Sequence, residues 1–157
     1  MVVDGQKSET LDIKAGVPQG SRLGPLLFLI YMNDILNDIQ SDILIFADDT
    51  SLFVSSSDPA ETSVILNRDL QKISSWAEQW KVKFNTSKTK SMIFANKLLN
   101  NSPPLIFNDC YIELVNEHKH LGLYLSSSLD WKKQISEVCL RACRKLSVLR
   151  SVKLLSS

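Results

Sequence analysis

The sequence predicts an α+β fold: a small antiparallel sheet carrying an Ala-Asp-Asp hairpin, backed by helices and followed by one basic helix. Three observations lead there. Two β-prone arms, residues 42–46 and 50–55, flank Ala47-Asp48-Asp49. Leu66, Leu70, Ile73, Ala77 and Trp80 recur at spacings of four, three, four and three, which lines one side of a helix and requires another element to cover it. The bulk composition is that of a folded domain: 157 residues with 44% apolar and 22% charged side chains, five Gly and five Pro. It excludes a disordered tail, a collagen-like fibre or a linker.

Each element follows from local signals. Short strand-like pieces around Asp4-Gly5 form a hairpin signal. A Gly/Pro-punctuated loop, Gly16 to Ser21, leads through Pro25 into Leu-Leu-Phe-Leu-Ile-Tyr-Met. Proline suits a first helical turn because its missing N–H is unbonded there anyway, so a helix is expected over about residues 24–39, buried on most sides and including Tyr31. Asp is a turn former and a poor strand former, which puts Asp48 and Asp49 at the tip of a tight hairpin. Asp58-Pro59-Ala60-Glu61 combines an N-cap, a first-turn proline and a capping-box glutamate. Lys90 to Phe94 reads as a strand, 100–104 as a loop, and further short strands are expected near Leu105 to Ile112 and His120 to Leu125. Asp130 is a candidate N-cap for a helix running to about Leu154, with Ile135, Val138, Ala142, Leu146 and Leu149 as its apolar stripe. Trp76, Trp80 and Trp131 are expected to pack rather than stack on bases.

The formal net charge of +1 conceals a division along the chain. Residues 1–67 carry three basic side chains, Lys7, Lys14 and Arg22, against ten acidic ones, whereas residues 68–157 carry fifteen against seven. Between Glu78 and Asp109 five lysines stand without an acid. An acidic half before a basic half points to contact with a polyanion. Three cysteines without close pairing, Cys110, Cys139 and Cys143, argue against a disulfide framework. The N-terminus lacks a signal-peptide pattern, and the longest apolar run, Leu26 to Met32, is far short of the roughly 20 residues that cross a bilayer. An intracellular, non-membrane protein is expected.

Adjacent carboxylates repel unless a cation sits between them. Magnesium relieves that conflict, since it takes oxygen ligands from one or two carboxylates and leaves positions for substrate phosphates. Taken alone, an Asp-Asp pair is more often a structural turn, Lys88 and its neighbours are as readily a solvated basic loop, and the last helix a solubilising one. His118, His120, Cys139 and Cys143 match no common zinc module.

The flanking residues add to this. Gly16-Val-Pro-Gln-Gly-Ser-Arg-Leu-Gly-Pro-Leu-Leu-Phe-Leu-Ile-Tyr-Met-Asn-Asp34, followed by Phe46-Ala-Asp-Asp-Thr50, resembles the reverse transcriptase of non-LTR (LINE-type, jockey-like) retrotransposons. Phe84-Asn-Thr-Ser-Lys-Thr-Lys-Ser-Met-Ile-Phe94 is similar to the family's lysine motif, and His120-Leu-Gly-Leu-Tyr-Leu-Ser-Ser-Ser-Leu-Asp-Trp131 to its primer-grip segment. The resemblance covers roughly residues 10–135.

It implies an RNA-directed DNA polymerase: residues 1–128 the later part of a palm, residues 129–157 the start of a basic thumb helix. It also implies Asp48 and Asp49 as catalytic metal ligands, for two Mg2+ ions in the complete enzyme that this chain is not expected to hold fully, and Lys88 as the group that protonates the pyrophosphate leaving group. Gln19, Gly20 and Ala47 would lie against nucleotide and template; Leu121, Gly122 and Tyr124 would hold the primer. The partners implied are an RNA template, a DNA primer and dNTP, in the nucleus or a cytoplasmic ribonucleoprotein. The family's other metal-binding aspartate has no counterpart here, since Asp4 and Asp12 lack its surroundings. The expected consequence is a chain without the fingers and first palm strand, inactive alone; the alternative is a nucleic-acid-binding or structural remnant.

Overall fold

A computed structural model describes residues 2–3, 5–7, 16, 20–94 and 103–155. It is a mixed α+β arrangement of three helices and small two-stranded ribbons. β1 (Val2–Val3) and β2 (Gln6–Lys7) form the hairpin expected around Asp4-Gly5. α1 (Leu23–Met32) runs into a 3-10 turn, Asn33–Leu36. The α-helix therefore ends sooner than the expected residue 39, at Asn33-Asp34, whose short polar side chains compete with helical backbone bonding. β3 (Asp42–Phe46) and β4 (Asp49–Phe53) are antiparallel, with Ile43 opposite Leu52 and Phe46 opposite Asp49. α2 (Pro59–Trp80) follows.

The rest of the sheet structure departs from a single antiparallel layer. β5 (Lys90–Ser91) pairs in parallel with β8 (Glu113–Leu114). β6 (Ile106–Phe107) and β7 (Cys110–Tyr111) are joined by Asn108-Asp109, both at positive φ (+48° and +59°), as a mirror-image hairpin turn requires. β9 (Glu117–His120) and β10 (Leu123–Ser126) form another hairpin. The strands expected over 105–112 and 120–125 thus each contain a turn, because both segments hold two consecutive residues in the left-handed region. The strand expected to reach Phe94 stops at Ser91. Of the loop expected at 100–104, Pro103 and Pro104 are described, and their carbonyls accept from Ser63 Oγ and Asn67 Nδ2. α3 (Lys132–Leu155) closes the chain.

The buried cluster, Met32, Ile35, Leu70, Ile73 and Phe107, joins the end of α1, the 3-10 turn, α2 and β6, with Ile43, Ile45 and Leu52 packed against it from the inner face of β3–β4. Tyr31 stands edge-on to Trp80 and near Trp76, with ring centroids 5.4 and 6.1 Å away, so those two tryptophans pack as expected. Trp131 does not: it is exposed. α1 is also not buried on most sides. Leu23, Leu26, Leu27, Phe28, Leu29 and Ile30 are exposed, because an all-round apolar helix has more faces than the single one that the 3-10 turn and α2 cover. The α3 stripe is exposed as well at Ile135, Val138, Leu146 and Leu149. No described helix is long and apolar enough to cross a membrane.

Candidate functional site

The β3–β4 register leaves only Ala47 and Asp48 as the turn, with Asp49 already paired to Phe46. Ala47 has φ +52°, a conformation that costs a non-glycine residue about 1 kcal/mol and that a tight two-residue hairpin turn demands. Strand alternation sends Ile43, Ile45, Thr50 and Leu52 to the inner face and Leu44, Phe46, Asp49 and Ser51 to the outer one. Asp48 and Asp49 are both exposed at the tip. Among the described residues neither carboxylate has a hydrogen-bond or ion-pair partner. The pair suits a hard divalent ion that keeps water or phosphate oxygens as its other ligands. Among the described residues no group of three or more His, Cys, Asp or Glu side chains comes together to hold a metal.

α2 fixes the base of this hairpin. Asp69 has no exposed surface and accepts from the backbone N–H of Gln40 (2.9 Å) and Ser41 (2.6 Å), just before β3. Burial pushes its carboxyl up, but the bonds from Ser41 and Gln40, with Arg68 beside it, more than offset this and hold it below the ordinary carboxylate range. Lys72 Nζ donates to the Asp38 carbonyl in the same loop.

The lysine segment is built on two anchors. Phe84 stands edge-on to Phe107 at 5.6 Å. Asn85 then accepts at its side-chain oxygen from Ser87 N–H (3.1 Å) and Ser87 Oγ (2.7 Å), while its carbonyl accepts from Lys88 N–H (3.1 Å). This Asx turn presents Lys88 exposed.

In the β9–β10 hairpin the turn is Leu121-Gly122, at φ +48° and +85°. Glycine meets that demand without strain and leucine does not, and the leucine side chain is exposed. His120, directly before the turn, lies 3.2 Å through Nε2 from Ser51 Oγ on β4. Tyr124 is half-buried, with Lys119 Nζ and Lys133 Nζ each 5.4 Å from its ring centre. Its N–H donates to Gln134 Oε1 at 3.0 Å, tying β10 to α3. Lys133 pairs with Glu117 at 2.5 Å, and that carboxylate raises the lysine's pKa.

Ala47, Asp48 and Asp49 thus share one tip, Leu121, Gly122 and Tyr124 share another, and Ser51–His120 joins the two hairpins. Gly20 is exposed at φ +84° before α1; Gln19 lies outside the described residues. His118 and His120 stack at 6.3 Å, and no described metal-holding group links them to Cys139 and Cys143. Sequence reasoning missed Asp69 and the Ser51–His120 contact. The first had a signal, an acid three residues after Leu66 and four before Ile73 on the apolar stripe; the second, spanning 69 positions, had none.

A family model described as reverse transcriptase (RNA-dependent DNA polymerase) matches residues 1–136. The chain is 33% identical over 144 residues to the RNA-directed DNA polymerase from mobile element jockey of Drosophila melanogaster, covering 87% of this chain and 16% of that protein. It is 30% identical over 141 residues to the probable RNA-directed DNA polymerase from transposon X-element of the same species, covering 87% and 15%. To the retrovirus-related Pol polyprotein from type-1 retrotransposable element R1 of Bradysia coprophila it is 28% identical over 125 residues, covering 77% and 12%. The chain spans about one sixth of the length of the first two of these relatives. No solved structure matches.

Proposed function

Because the chain belongs to the reverse transcriptase (RNA-dependent DNA polymerase) family, we propose that it is the carboxylate-hairpin and primer-holding part of a non-LTR retrotransposon polymerase that copies RNA into DNA. The observation that carries the reading is the strained Ala47-Asp48 turn, which holds two unpartnered carboxylates at an exposed tip joined through Ser51–His120 to the Leu121-Gly122 turn. In this reading residues 1–128 are palm and residues 129–157 begin a thumb.

Asp48 and Asp49 hold divalent metal, Mg2+ by ligand chemistry. When bound, such ions lower the pKa of an attacking hydroxyl and neutralise charge on the leaving oxygens. The chain's own residues do the rest. Ala47, with Gln19 and Gly20, gives backbone against which nucleotide and template lie. Leu121, Gly122 and Tyr124 seat the primer end, Lys119 and Lys133 place positive charge beside it, and the basic face of α3 follows the duplex backbone. Lys88 donates the proton that the pyrophosphate leaving group takes up. The substrates are dNTP, a DNA primer and an RNA template, in an intracellular setting.

Because the chain spans about one sixth of the length of the relatives it matches and Asp4 and Asp12 lack the sequence surroundings of the family's other metal-binding aspartate, we assign nucleic-acid binding to the isolated chain and synthesis to a longer polypeptide that supplies a further carboxylate. Primer extension on an RNA template with the purified 157 residues is expected to give no product above the Asp48→Asn control. Clear, Asp48-dependent synthesis overturns that assignment, and loss of all RNA binding overturns the polymerase reading of this segment.

A further inference from the structure

We infer that the hydrogen bond between Ser51 Oγ and His120 Nε2 is a gauge that sets the separation of the carboxylate turn from the Leu121-Gly122 turn, which makes His120 a positioning residue for the primer end. The inference rests on the reading of those two turns given above. Ser51 lies two residues beyond Asp49 on the same outer face of β4, so its hydroxyl stands roughly 7 Å along the strand from that carboxylate's position. His120 is the last residue of β9, paired across the hairpin with Leu123, and Leu121 follows it directly. The contact, 3.2 Å long, is the hydrogen bond that the described residues form between the two hairpins.

Both partners are half-buried, and the His118 ring lies 6.3 Å from the imidazole on the same face of β9, at 27° to it. On its far side the same hairpin is held to α3 through Tyr124 N–H and Gln134 Oε1. The primer-holding turn is therefore fixed at two points, one facing the carboxylates and one facing the basic helix. A neutral side-chain hydrogen bond contributes little to global stability. Placement is different, since displacement by about an ångström near reacting atoms is enough to cost about a hundredfold in rate.

The test uses the full 157-residue chain, 15N-labelled, with Mn2+ as the metal probe. In the unmodified chain Mn2+ is expected to broaden the amides of residues 47–50 strongly and that of Gly122 to a lesser, measurable extent. Ser51→Ala and His120→Ala are each expected to leave the Mn2+ midpoint at residues 47–50 unchanged while altering the broadening at Gly122. His120→Gln, whose amide reaches a similar distance, restores it. The unfolding equilibria of the two alanine variants and their double variant are expected to be non-additive by about fivefold. Unchanged Gly122 broadening in both alanine variants, or additive unfolding effects, overturns the gauge. If Mn2+ fails to broaden residues 47–50 of the unmodified chain, the metal reading of Asp48 and Asp49 falls instead. The gauge is then judged on the unfolding cycle and on the shift of the Gly122 amide in Ser51→Ala.

Discussion

Asp69 is a fully buried carboxylate whose hydrogen-bonding partners include two backbone N–H groups that no strand or helix satisfies. Its pKa is lowered in the folded chain although burial opposes this, so the stability it contributes is present above the unfolded carboxyl pKa of about 3.9. That contribution is lost as pH falls through the lower folded value. Asp69→Ala leaves the buried Ser41 N–H unbonded and returns the N–H of the exposed Gln40 to water, and is expected to cost about 1–3 kcal/mol in urea unfolding at pH 7. The variant's stability should also change less than the parent's as pH falls below about 4; an equal acid response would show that Asp69 is not the group. Leu121 is the opposite case, a residue that the local backbone disfavours. Leu121→Asn replaces an exposed leucine at φ +48° with a side chain that tolerates the left-handed region. It is expected to raise stability by about 0.5–1 kcal/mol while weakening primer–template binding in a filter or anisotropy assay. If binding strengthens along with stability, the tip leucine has no part in holding the primer.

At the scale of elements, α2 is the most locally determined piece. Asp58 accepts from Ala60 N–H at 2.9 Å and Pro59 starts the helix. The capping-box glutamate works through an intermediary: Ser56 Oγ donates to Glu61 Oε2 (2.6 Å) and accepts from Asp58 N–H (3.1 Å). Asp58→Ala should therefore lower stability by about 1 kcal/mol, seen as a lower urea midpoint with unchanged slope. Ser56→Ala should reproduce part of that loss, and if it has no effect the intermediary is dispensable. α2 and the β3–β4 hairpin were legible in the sequence because their signals, a cap, a stripe and alternating arms around Asp-Asp, act within a few residues. The ends of α1 and the turn at Leu121-Gly122 were not. Leucine gives no turn signal, and the surplus apolar residues of α1 carry no mark of which face finds a partner. Of the candidate site, the hairpin tip that carries Asp48 and Asp49 was legible from the alternating arms around it, but Asp69 beneath the hairpin and the Ser51–His120 link depend on tertiary placement.

Across the whole molecule, the basic second half of the chain ends in a helix of exposed cations. Lys132, Lys133, Arg141, Arg144, Lys145 and Arg150 are all exposed along α3, beside an apolar stripe that is exposed too. A cationic helix of this kind binds phosphates by releasing counterions, so affinity falls steeply as salt rises. Binding of the chain to an RNA–DNA duplex, measured by anisotropy across a salt series, is expected to give a straight log–log plot of negative slope. Asp48→Asn should leave that slope unchanged, because in the proposed reading its carboxylate acts on metal and nucleotide and not on the duplex backbone. Changing Arg141, Arg144 and Lys145 together to Gln removes three charges and should flatten the slope by about 2 to 3. A slope insensitive to those three residues would move the duplex off α3 and onto the lysines between Glu78 and Asp109, the other basic stretch of the chain.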